Sequence, residues 1–377
     1  MSRAVRCIAF LALLLSTVAH AAVPPAPRIL GKSWILGDLS SGQILIAEKV
    51  DDRLEPASLT KLMTAYLVFS ALRDKRLTLE QQVAVSARAW RAAGSRMFID
   101  PRKPVTVDEL IRGMEVQSAN DACIALAEAV AGSEDAFVEA MNREAARLGM
   151  ANSHFRNATG LPDAQHYSTA RDLYTLAAAV IRDFPQEYAR YYAMKEFRYN
   201  NITQPNRNRL LWLDPAVDGV KTGHTEAAGY CLIASSKRGP RRLLSVLMGS
   251  NSESSRAQES QKLLNWGYQF FDGVKLYGGG EVVRTLEVWK GAANGVKAGS
   301  MSDLYVTVPK GEAPKLKAEL ESQRPLVAPI AQGQQVGTLR VTLEGKPIAE
   351  RPLVALEAVA PAGIFGRAWD TLRLWIK

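Results

Sequence analysis

Strand-like segments stand at both ends of a helix-rich region, and this arrangement constrains the fold more than any other feature. Residues 33–36 and 44–48 predict two strands joined by a turn, and residues 230–234 and 243–248 predict two more. Helical patterns fill the interval, without a strict alternation of strand and helix. The pattern predicts one α/β (α+β) unit with a largely antiparallel sheet flanked by helices, in which the first and last strands meet.

End signals place several helices inside this region. Thr106 is followed three residues later by Glu109, which is a capping-box pattern and predicts a helix start. Thr169 opens another helix, which we expect to end near Pro185 because proline cannot continue a helix interior. A last helix is predicted over residues 254–271 from its periodic apolar positions.

The pattern changes after residue 272. Short runs of alternating polar and apolar residues follow, and Glu344 with Gly345 predicts a tight hairpin turn between two of them. A chain of 377 residues is long enough for two domains. We therefore predict a first domain over residues 22–272 and a small all-β sandwich over residues 273–360, in which we find no catalytic constellation.

The last residues, 361–377, differ from both domains. Phe365, Trp369, Leu372 and Ile376 recur at helical spacing on one face, and basic residues lie mostly elsewhere. This composition predicts an amphipathic, membrane-anchoring helix that lies in the interface, since it is too short and too charged to span a bilayer. The alternative is a terminal helix that docks on the protein's own core.

The first residues have the order of a secretory signal peptide. Arg3 and Arg6 precede an apolar run, and Ala19 and Ala21 supply the small residues of a cleavage site. We expect residues 1–21 to be removed on export. Together with the terminal helix, this predicts a periplasmic protein that is peripheral on the outer face of the cytoplasmic (inner) membrane.

Charge and cysteine content indicate which kind of surface the protein contacts and whether its thiols are paired. The formal net charge of +9 suits an anionic surface such as phospholipid or cell-wall polymer, and no nucleic-acid motif is present. Cys123 and Cys231 follow the predicted signal peptide, and in an exported protein they could form a disulfide. A disulfide framework would use more cysteines, so we expect two buried thiols.

Ser58 and Lys61 stand three residues apart at the start of a long apolar run. In a helix, residues at this spacing share a face. A serine hydroxyl must lose its proton to act as a nucleophile, and a lysine whose pKa is lowered by burial or by nearby cations can accept that proton. On its own, this S-x-x-K pair is also compatible with an ordinary helix start and a solvated lysine.

Two more short motifs follow in order. An S-A-N triplet begins at Ser118 and a K-T-G triplet at Lys221. S-x-x-K, S-D-N and K-T-G in this order are typical of penicillin-binding proteins and class A β-lactamases, and here Ala119 stands in place of the aspartate of the middle motif. Stretches that begin at Asn157 (N-A-T-G-L-P) and Gln204 (Q-P-N-R-N) are similar to further stretches of the first group.

On these motifs, the chain resembles the low-molecular-mass penicillin-binding proteins, which are serine D-alanyl-D-alanine carboxypeptidases. The resemblance covers nearly the whole chain after the signal peptide. It implies a penicillin-binding/β-lactamase-like catalytic domain, a C-terminal all-β domain and an amphipathic terminal helix.

Residue chemistry and the resemblance together assign roles to the first two motifs. Ser58 is the predicted acyl-ester nucleophile, and Lys61 is its proton acceptor. The hydroxyl of Ser118 could relay a proton to the leaving amine. Asn120 can hydrogen-bond the peptide backbone of a substrate.

The third motif supplies binding groups. Lys221 adds a cation that attracts a carboxylate and is predicted to keep Lys61 neutral by repulsion. Thr222 can donate to the same carboxylate. Gly223 has no side chain, so a substrate can lie along the strand edge as an added strand.

The resemblance also implies an oxyanion hole made by the backbone N–H groups of Ser58 and His224, and it places Arg207 near the substrate carboxylate. The imidazoles of His154 and His166 are expected to be structural or exposed. No metal-binding spacing of cysteine and histidine is present, and we expect neither a metal nor a cofactor.

The implied function is removal of the terminal D-alanine from peptidoglycan stem pentapeptides through an acyl-enzyme on Ser58. The expected partners are this stem peptide, β-lactam antibiotics that acylate the same serine, and a membrane surface contacted by the C-terminal helix. A β-lactamase is the alternative enzyme, but no Glu-x-x-Leu-Asn pattern lies between the second and third motifs. A catalytically weak wall-binding scaffold is the third hypothesis, and three intact motifs argue against it.

Overall fold

The structure is a computed structural model, which describes residues 24–322, 325–364 and 370. The predicted signal peptide (1–21) lies outside these residues, as does most of the predicted terminal helix (361–377), including its apolar face. Both therefore stay predictions.

The helices lie between the first and last strands of the first domain. In chain order they are α1 (Lys61–Arg73), α2 (Ala87–Trp90), α3 (Val107–Val116), α4 (Asn120–Ala131), α5 (Glu134–Arg147), α6 (Ala170–Asp183), α7 (Pro185–Tyr191), α8 (Leu210–Leu213) and α9 (Glu253–Phe270). A short 3-10 turn, Ala57–Thr60, leads directly into α1. Of the helices in the described residues, none has the length and apolar character needed to cross a membrane.

The strands belong to two larger sheets and several short pairs. In chain order they are β1 (Ser33–Asp38), β2 (Gln43–Glu48), β3 (Gln82–Val83), β4 (Val105–Thr106), β5 (Glu196–Tyr199), β6 (Ile202–Pro205), β7 (Val217–Thr225), β8 (Gly229–Arg238), β9 (Arg241–Ser250), β10 (Phe271–Tyr277), β11 (Val282–Trp289), β12 (Gly295–Gly299), β13 (Leu304–Pro309), β14 (Leu316–Ser322), β15 (Leu326–Val327), β16 (Gln335–Leu343) and β17 (Lys346–Ala355).

The first domain is built on a five-stranded sheet in the order β2-β1-β9-β8-β7, and every neighbouring pair is antiparallel. Successive residues of a strand point to opposite faces, so Ile35 packs with the α1, α4 and α6 side and Leu36 with the α9 side. The pairing of β1 with β9 confirms that the first and last strands meet. The sheet is therefore covered by helices on both faces, as the sequence predicts.

The helix end signals are confirmed. Thr106 and Glu109 form both hydrogen bonds of the capping box at the start of α3. Thr169 caps α6, which ends at Asp183. The end of α6 therefore lies near Pro185, as predicted, and Pro185 also begins the separate helix α7, where its missing N–H costs nothing and its fixed φ suits the helix.

The second domain is all-β, as predicted. One sheet has the order β14-β16-β17-β12-β11-β15, and β10 with β13 forms a second layer whose side chains pack against β16 and β17. Within this domain, β11 and β15 are parallel, and the other pairs in the described residues are antiparallel. Glu344 and Gly345 have φ of 50° and 81° and join β16 to β17, which confirms the tight hairpin turn.

Thr307 of β13 fixes the second domain against the first. Its hydroxyl donates to the buried carboxylate of Asp38 at 2.9 Å and lies 2.7 Å from the Ser41 hydroxyl. The Gln43 side chain brackets the Thr307 backbone, accepting from its N–H at 2.6 Å and donating to its carbonyl at 3.1 Å. The contact lies at the β1–β2 turn, so it leaves the other edge of the five-stranded sheet, β7, free for the functional site.

Candidate active site

The backbone takes an uncommon conformation beside each of the two motif serines. Ala57, just before Ser58, has φ of 46°, and Ser118 itself has φ of 65° in the turn between α3 and α4. Residues other than glycine rarely adopt positive φ, and those that do cluster at functional sites. At Gly160 a Cβ atom would lie 1.8 Å from the Ala57 carbonyl oxygen, so only glycine permits this close approach of the 157–161 loop.

Lys61 lies directly behind Ser58. Its Nζ donates to Ser58 Oγ at 3.0 Å and to the Thr159 carbonyl oxygen at 2.5 Å, and the residue is fully buried (0% exposed). This geometry confirms the shared face and excludes the solvated lysine. Burial is the first cause that lowers the pKa of Lys61, to about 8, and therefore favours the neutral amine that can accept a proton.

Lys221 repeats this pairing with the second serine. From the middle of β7, its Nζ donates to Ser118 Oγ at 2.9 Å and to the Thr222 carbonyl oxygen at 3.3 Å. Burial first, and then repulsion by Lys61, lowers the pKa of Lys221 to about 7. Burial and nearby cations were both predicted to lower the pKa of a catalytic lysine, and burial is the larger cause for both lysines.

Asn120 begins α4 next to Ser118. Its Nδ2 donates to the Ala93 carbonyl oxygen at 2.6 Å, and its Oδ1 has no hydrogen-bond partner among the described residues. Asp121 accepts the backbone N–H groups of residues 97–99 at 2.8 to 3.2 Å. The start of α4 therefore holds the 93–99 loop, and the Asn120 carbonyl oxygen stays buried without a partner among the described residues.

The motif residues surround one cavity of about 210 Å³. The residues that line it are Ser58, Gly94, Ser95, Ser118, Asn120, Thr159, Gly160, Leu161, Arg207, Thr222, Gly223, His224, Thr225 and Arg256. Every predicted site residue except the two lysines lines this cavity. Lys61 and Lys221 are buried behind its wall and reach it through their serine partners.

Gly223 is a point of close approach between β7 and the nucleophile. A Cβ atom there would lie 3.1 Å from the Pro56 carbonyl oxygen and 3.2 Å from the Ser58 backbone nitrogen. The absence of a side chain at Gly223 thus has a second effect, in addition to leaving room for a substrate. It lets the strand edge and the turn that carries Ser58 share one wall of the cavity.

His224 and His166 differ in their surroundings. The His224 ring packs against Tyr230 at a tilt of 32°, with 4.0 Å between ring centroids, so its imidazole is placed by an aromatic neighbour. His166 is buried, and its Nε2 lies 2.9 Å from Thr60 Oγ1. Its structural role is confirmed, since this contact supports the turn between Ser58 and Lys61.

Arg256 is a site residue that the sequence analysis missed. It lies in α9 and is buried, and its guanidinium donates to the carbonyl oxygens of Arg207 and Gly223 at 3.3 and 3.5 Å. No local spacing marks it, because it stands in an ordinary polar helix start far from the three motifs. Only the packing of α9 brings its positive charge beside that of Arg207 at the cavity wall.

Both described cysteines are buried free thiols, as predicted. The Cys123 thiol donates to the Ala158 carbonyl oxygen at 2.8 Å, next to the loop that holds Lys61. Burial raises the pKa of the Cys123 thiol to about 12, so it is not an acid of the site. Among the residues that the structure describes, no group of three or more histidine, cysteine, aspartate or glutamate side chains is arranged to hold a metal ion.

Comparison with known proteins agrees with this geometry. The D-alanyl-D-alanine carboxypeptidase (peptidase S11) family profile matches residues 19–252, and the penicillin-binding protein 5 C-terminal domain profile matches residues 271–361. The chain is 44% identical to the D-alanyl-D-alanine carboxypeptidase DacC of Escherichia coli K12, over 92% of this chain and 88% of that protein. It is 41% identical to DacA of the same strain, over 93% and 89%.

Solved structures show the same likeness. The crystal structure of penicillin-binding protein 5 from Haemophilus influenzae superposes with a TM-score of 0.83 at 41% identity, covering 89% of this chain and 98% of that one. Penicillin-binding protein D2 from Listeria monocytogenes, in its ampicillin-bound form, superposes with a TM-score of 0.60 at 28% identity, covering 65% and 99%. The chain belongs to the D-alanyl-D-alanine carboxypeptidases of peptidase family S11, and it is a penicillin-binding serine hydrolase with an all-β C-terminal domain.

Proposed function

We propose that this D-alanyl-D-alanine carboxypeptidase removes the terminal D-alanine from peptidoglycan stem pentapeptides through an acyl-enzyme on Ser58. One observation carries the proposal. The buried Lys61 amine lies 3.0 Å from the Ser58 hydroxyl, at the wall of a cavity large enough for a dipeptide end. A serine whose proton has a place to go can attack a carbonyl carbon.

In the acylation step, Ser58 Oγ attacks the carbonyl between the two terminal D-alanines, and neutral Lys61 accepts its proton. The carbonyl oxygen gains negative charge, and the backbone N–H groups of Ser58 and His224 stabilise it. One such donor typically accelerates the reaction about 100- to 1000-fold. The C–N bond then breaks, and Ser118 relays a proton to the leaving amine of D-alanine.

In the second step, water attacks the ester on Ser58, and Lys61 is again the group that accepts and returns the proton. The products are the shortened peptide with a new carboxylate and the free serine. Each proton taken from a nucleophile is returned to a leaving group, so the cycle needs neither an oxidant nor a cofactor.

Positive charge at one end of the cavity would recognise the substrate's terminal carboxylate. Lys221 lies behind this end, and the side chains of Arg207 and Arg256 stand at its wall. The Thr222 hydroxyl can add a hydrogen bond to the carboxylate. Asn120 would hold the peptide backbone through its unpartnered Oδ1, while the peptide lies along the edge of β7 as an added strand.

β-Lactam antibiotics would acylate Ser58 by the same attack. In a β-lactam the amine that leaves the carbonyl carbon stays covalently attached to the acyl group. It therefore continues to occupy the cavity and hinders the attack of water on the ester. The ampicillin-bound form of the Listeria monocytogenes relative supports this proposal.

We also propose that the protein works in the periplasm, on the outer face of the inner membrane. The predicted signal peptide (1–21) and the predicted amphipathic helix (361–377) support this location. Fractionation of cells that express the full chain, compared with cells that express residues 1–360, tests it. The full chain is expected in the membrane fraction and the truncated chain in the soluble periplasm. Equal distribution would contradict the anchor.

Release of D-alanine from a synthetic pentapeptide that ends in D-Ala-D-Ala tests the activity. We expect turnover by the wild type and none above background by Ser58→Ala. Rapid hydrolysis of penicillin without D-alanine release would favour the β-lactamase instead. Binding of wall fragments with no turnover of either compound would favour the scaffold.

A further inference from the structure

A carboxylate that the proposed mechanism does not use lies next to the nucleophile turn. Glu55 stands three residues before Ser58 and is half-buried. Its Oε2 accepts from the hydroxyl of Thr225 at 3.1 Å, and Thr225, at the end of β7, is one of the residues that line the cavity. The carboxylate is therefore held beside the cavity by a residue of its wall.

The hydrogen bond between Thr225 and Glu55 has a fixed direction. The Thr225 hydroxyl accepts from the Ala228 N–H at 3.0 Å, so its single proton is the one donated to Glu55. Thr225 consequently has no proton left for a substrate. Glu55, which as a carboxylate only accepts hydrogen bonds, can still accept from a ligand.

The charge of Glu55 is not neutralised by a neighbour. None of the described lysine, arginine or histidine residues forms an ion pair with it, and the bond from Thr225 is its only hydrogen bond within the described ranges. Asp51, four residues earlier, is by contrast paired with Arg171 at 2.7 Å. An unpaired carboxylate that is half-buried at a cavity favours a cationic ligand.

The proposed mechanism fixes the direction in which a peptide runs along β7. Its terminal carboxylate lies at Thr222, and the carbonyl that Ser58 attacks lies at the His224 N–H. Since residues of an extended chain are about 3.3 Å apart, the residue before the two D-alanines lies past His224, alongside Thr225. In a stem pentapeptide this is the third residue, and Glu55 stands where its side chain passes.

We propose that Glu55 is a specificity-determining residue that binds an ammonium group on the side chain of the third residue of the stem peptide. This inference rests on the proposed function. The substrate then carries two charges that the site complements separately, a terminal carboxylate that meets the basic residues and an ammonium group that meets Glu55. A neutral side chain at the third residue would leave the carboxylate unpaired.

The test is the release of D-alanine from two synthetic peptides, Nα-acetyl-L-lysyl-D-alanyl-D-alanine and its Nα,Nε-diacetyl form, which differ by one positive charge. We expect kcat/KM to be about tenfold higher for the peptide with the free amine, because a hydrogen bond between charged groups is stronger than a neutral one. This ratio should decrease as the ionic strength rises, since salt screens a partly exposed pair.

Two variants separate recognition of charge from a purely structural role. Glu55→Gln keeps an oxygen that can accept from Thr225 and removes the charge, so the ratio should fall from about ten to about one. Glu226→Gln removes an exposed carboxylate one residue beyond Thr225 and is the matched control that should keep the ratio. A structural contribution of the bond to Thr225 would change the rates for both peptides together and leave their ratio unchanged.

The outcomes are distinguishable. Equal kcat/KM values for the two peptides in the wild type, or a preference that persists in Glu55→Gln, would overturn the role of Glu55 and leave the proposed function standing. Loss of the preference in Glu226→Gln alone would also overturn it. A wild type that releases D-alanine from neither peptide would overturn the proposed function, and the role of Glu55 with it.

Discussion

Lys61 Nζ lies 3.0 Å from Ser58 Oγ and is held there from behind by the Thr159 carbonyl oxygen at 2.5 Å. A side chain with four methylene groups is normally mobile, so two fixed partners and complete burial restrict it to one position. The same burial lowers its pKa to about 8, which makes the neutral amine accessible near neutral pH. Burial thus fixes the position of the Lys61 amine and also favours its neutral form.

Acylation by penicillin should therefore increase as the pH rises from about 6 towards about 8, because the neutral form of Lys61 becomes more populated. Lys61→Arg keeps a positive charge at every accessible pH and cannot accept the proton. We expect that variant to lose about 100- to 10,000-fold in acylation rate. Stopped-flow or gel-based labelling across this range checks both statements. A rate independent of pH in the wild type would contradict them.

Gly223→Ala tests the close approach of β7 to the nucleophile turn. The new Cβ atom would press on the Pro56 carbonyl oxygen at 3.1 Å and on the Ser58 nitrogen at 3.2 Å. We expect acylation to slow by about tenfold or more, because displacements well under 1 Å at a reacting group are costly. Gly278→Ala is the matched control, since its Cβ atom would meet nothing closer than 3.4 Å. Equal rates for the two variants would argue against the contact.

Asn157→Ala tests the loop that holds Lys61. The Asn157 Oδ1 accepts from the backbone N–H groups of Thr159, Gly160 and Leu161 at 2.7 to 3.1 Å, and also from the Thr159 hydroxyl. Leaving these donors without an acceptor should cost about 1–3 kcal/mol in the free energy of unfolding and slow acylation. Denaturant unfolding measures the first effect and penicillin labelling the second. Asn157→Asp, which keeps the acceptor, should fall between the wild type and Asn157→Ala.

His166→Gln tests the buried imidazole beside Thr60. Burial lowers the pKa of His166 to about 4, below the value of about 6.5 expected in the unfolded chain. Between these two values the unfolded state binds the proton and the folded state does not. Stability should therefore fall as the pH decreases from about 6.5 to about 4, by on the order of 3 kcal/mol, and then level off.

The variant keeps a hydrogen-bond partner for Thr60 but has no proton to gain. Melting temperatures measured between about pH 4 and pH 7 should decrease less for His166→Gln than for the wild type. If both proteins lose stability equally towards acidic pH, other groups cause the effect and His166 is not buried as described.

The sequence predicted the parts of the site that depend on local spacing. Ser58 with Lys61, Ser118 with Asn120, and the K-T-G triplet at Lys221 are short patterns whose members stay together in any fold that keeps their helix or strand. The capping box at Thr106 was predictable for the same reason. A cap and its partner are three residues apart, so tertiary structure has little influence on it.

The rest of the site depends on packing, which local patterns do not record. Arg256 had the pattern of a polar helix start, yet it is buried and donates to the carbonyl oxygens of Arg207 and Gly223. The Thr159 carbonyl oxygen, which holds Lys61, is a backbone atom with no side-chain signal. Pro185 correctly marked the end of α6, but its second role as the first residue of α7 depends on the packing of that short helix.

The most direct test of the account is the position of the penicillin label. Purified protein without its signal peptide would be incubated with a fluorescent penicillin, digested and mapped by mass spectrometry. The account predicts one stable adduct on the peptide that contains Ser58, absent in Ser58→Ala and slow to disappear in a chase. An adduct on another residue, or no adduct on a folded protein, would contradict the assignment of Ser58 as the nucleophile.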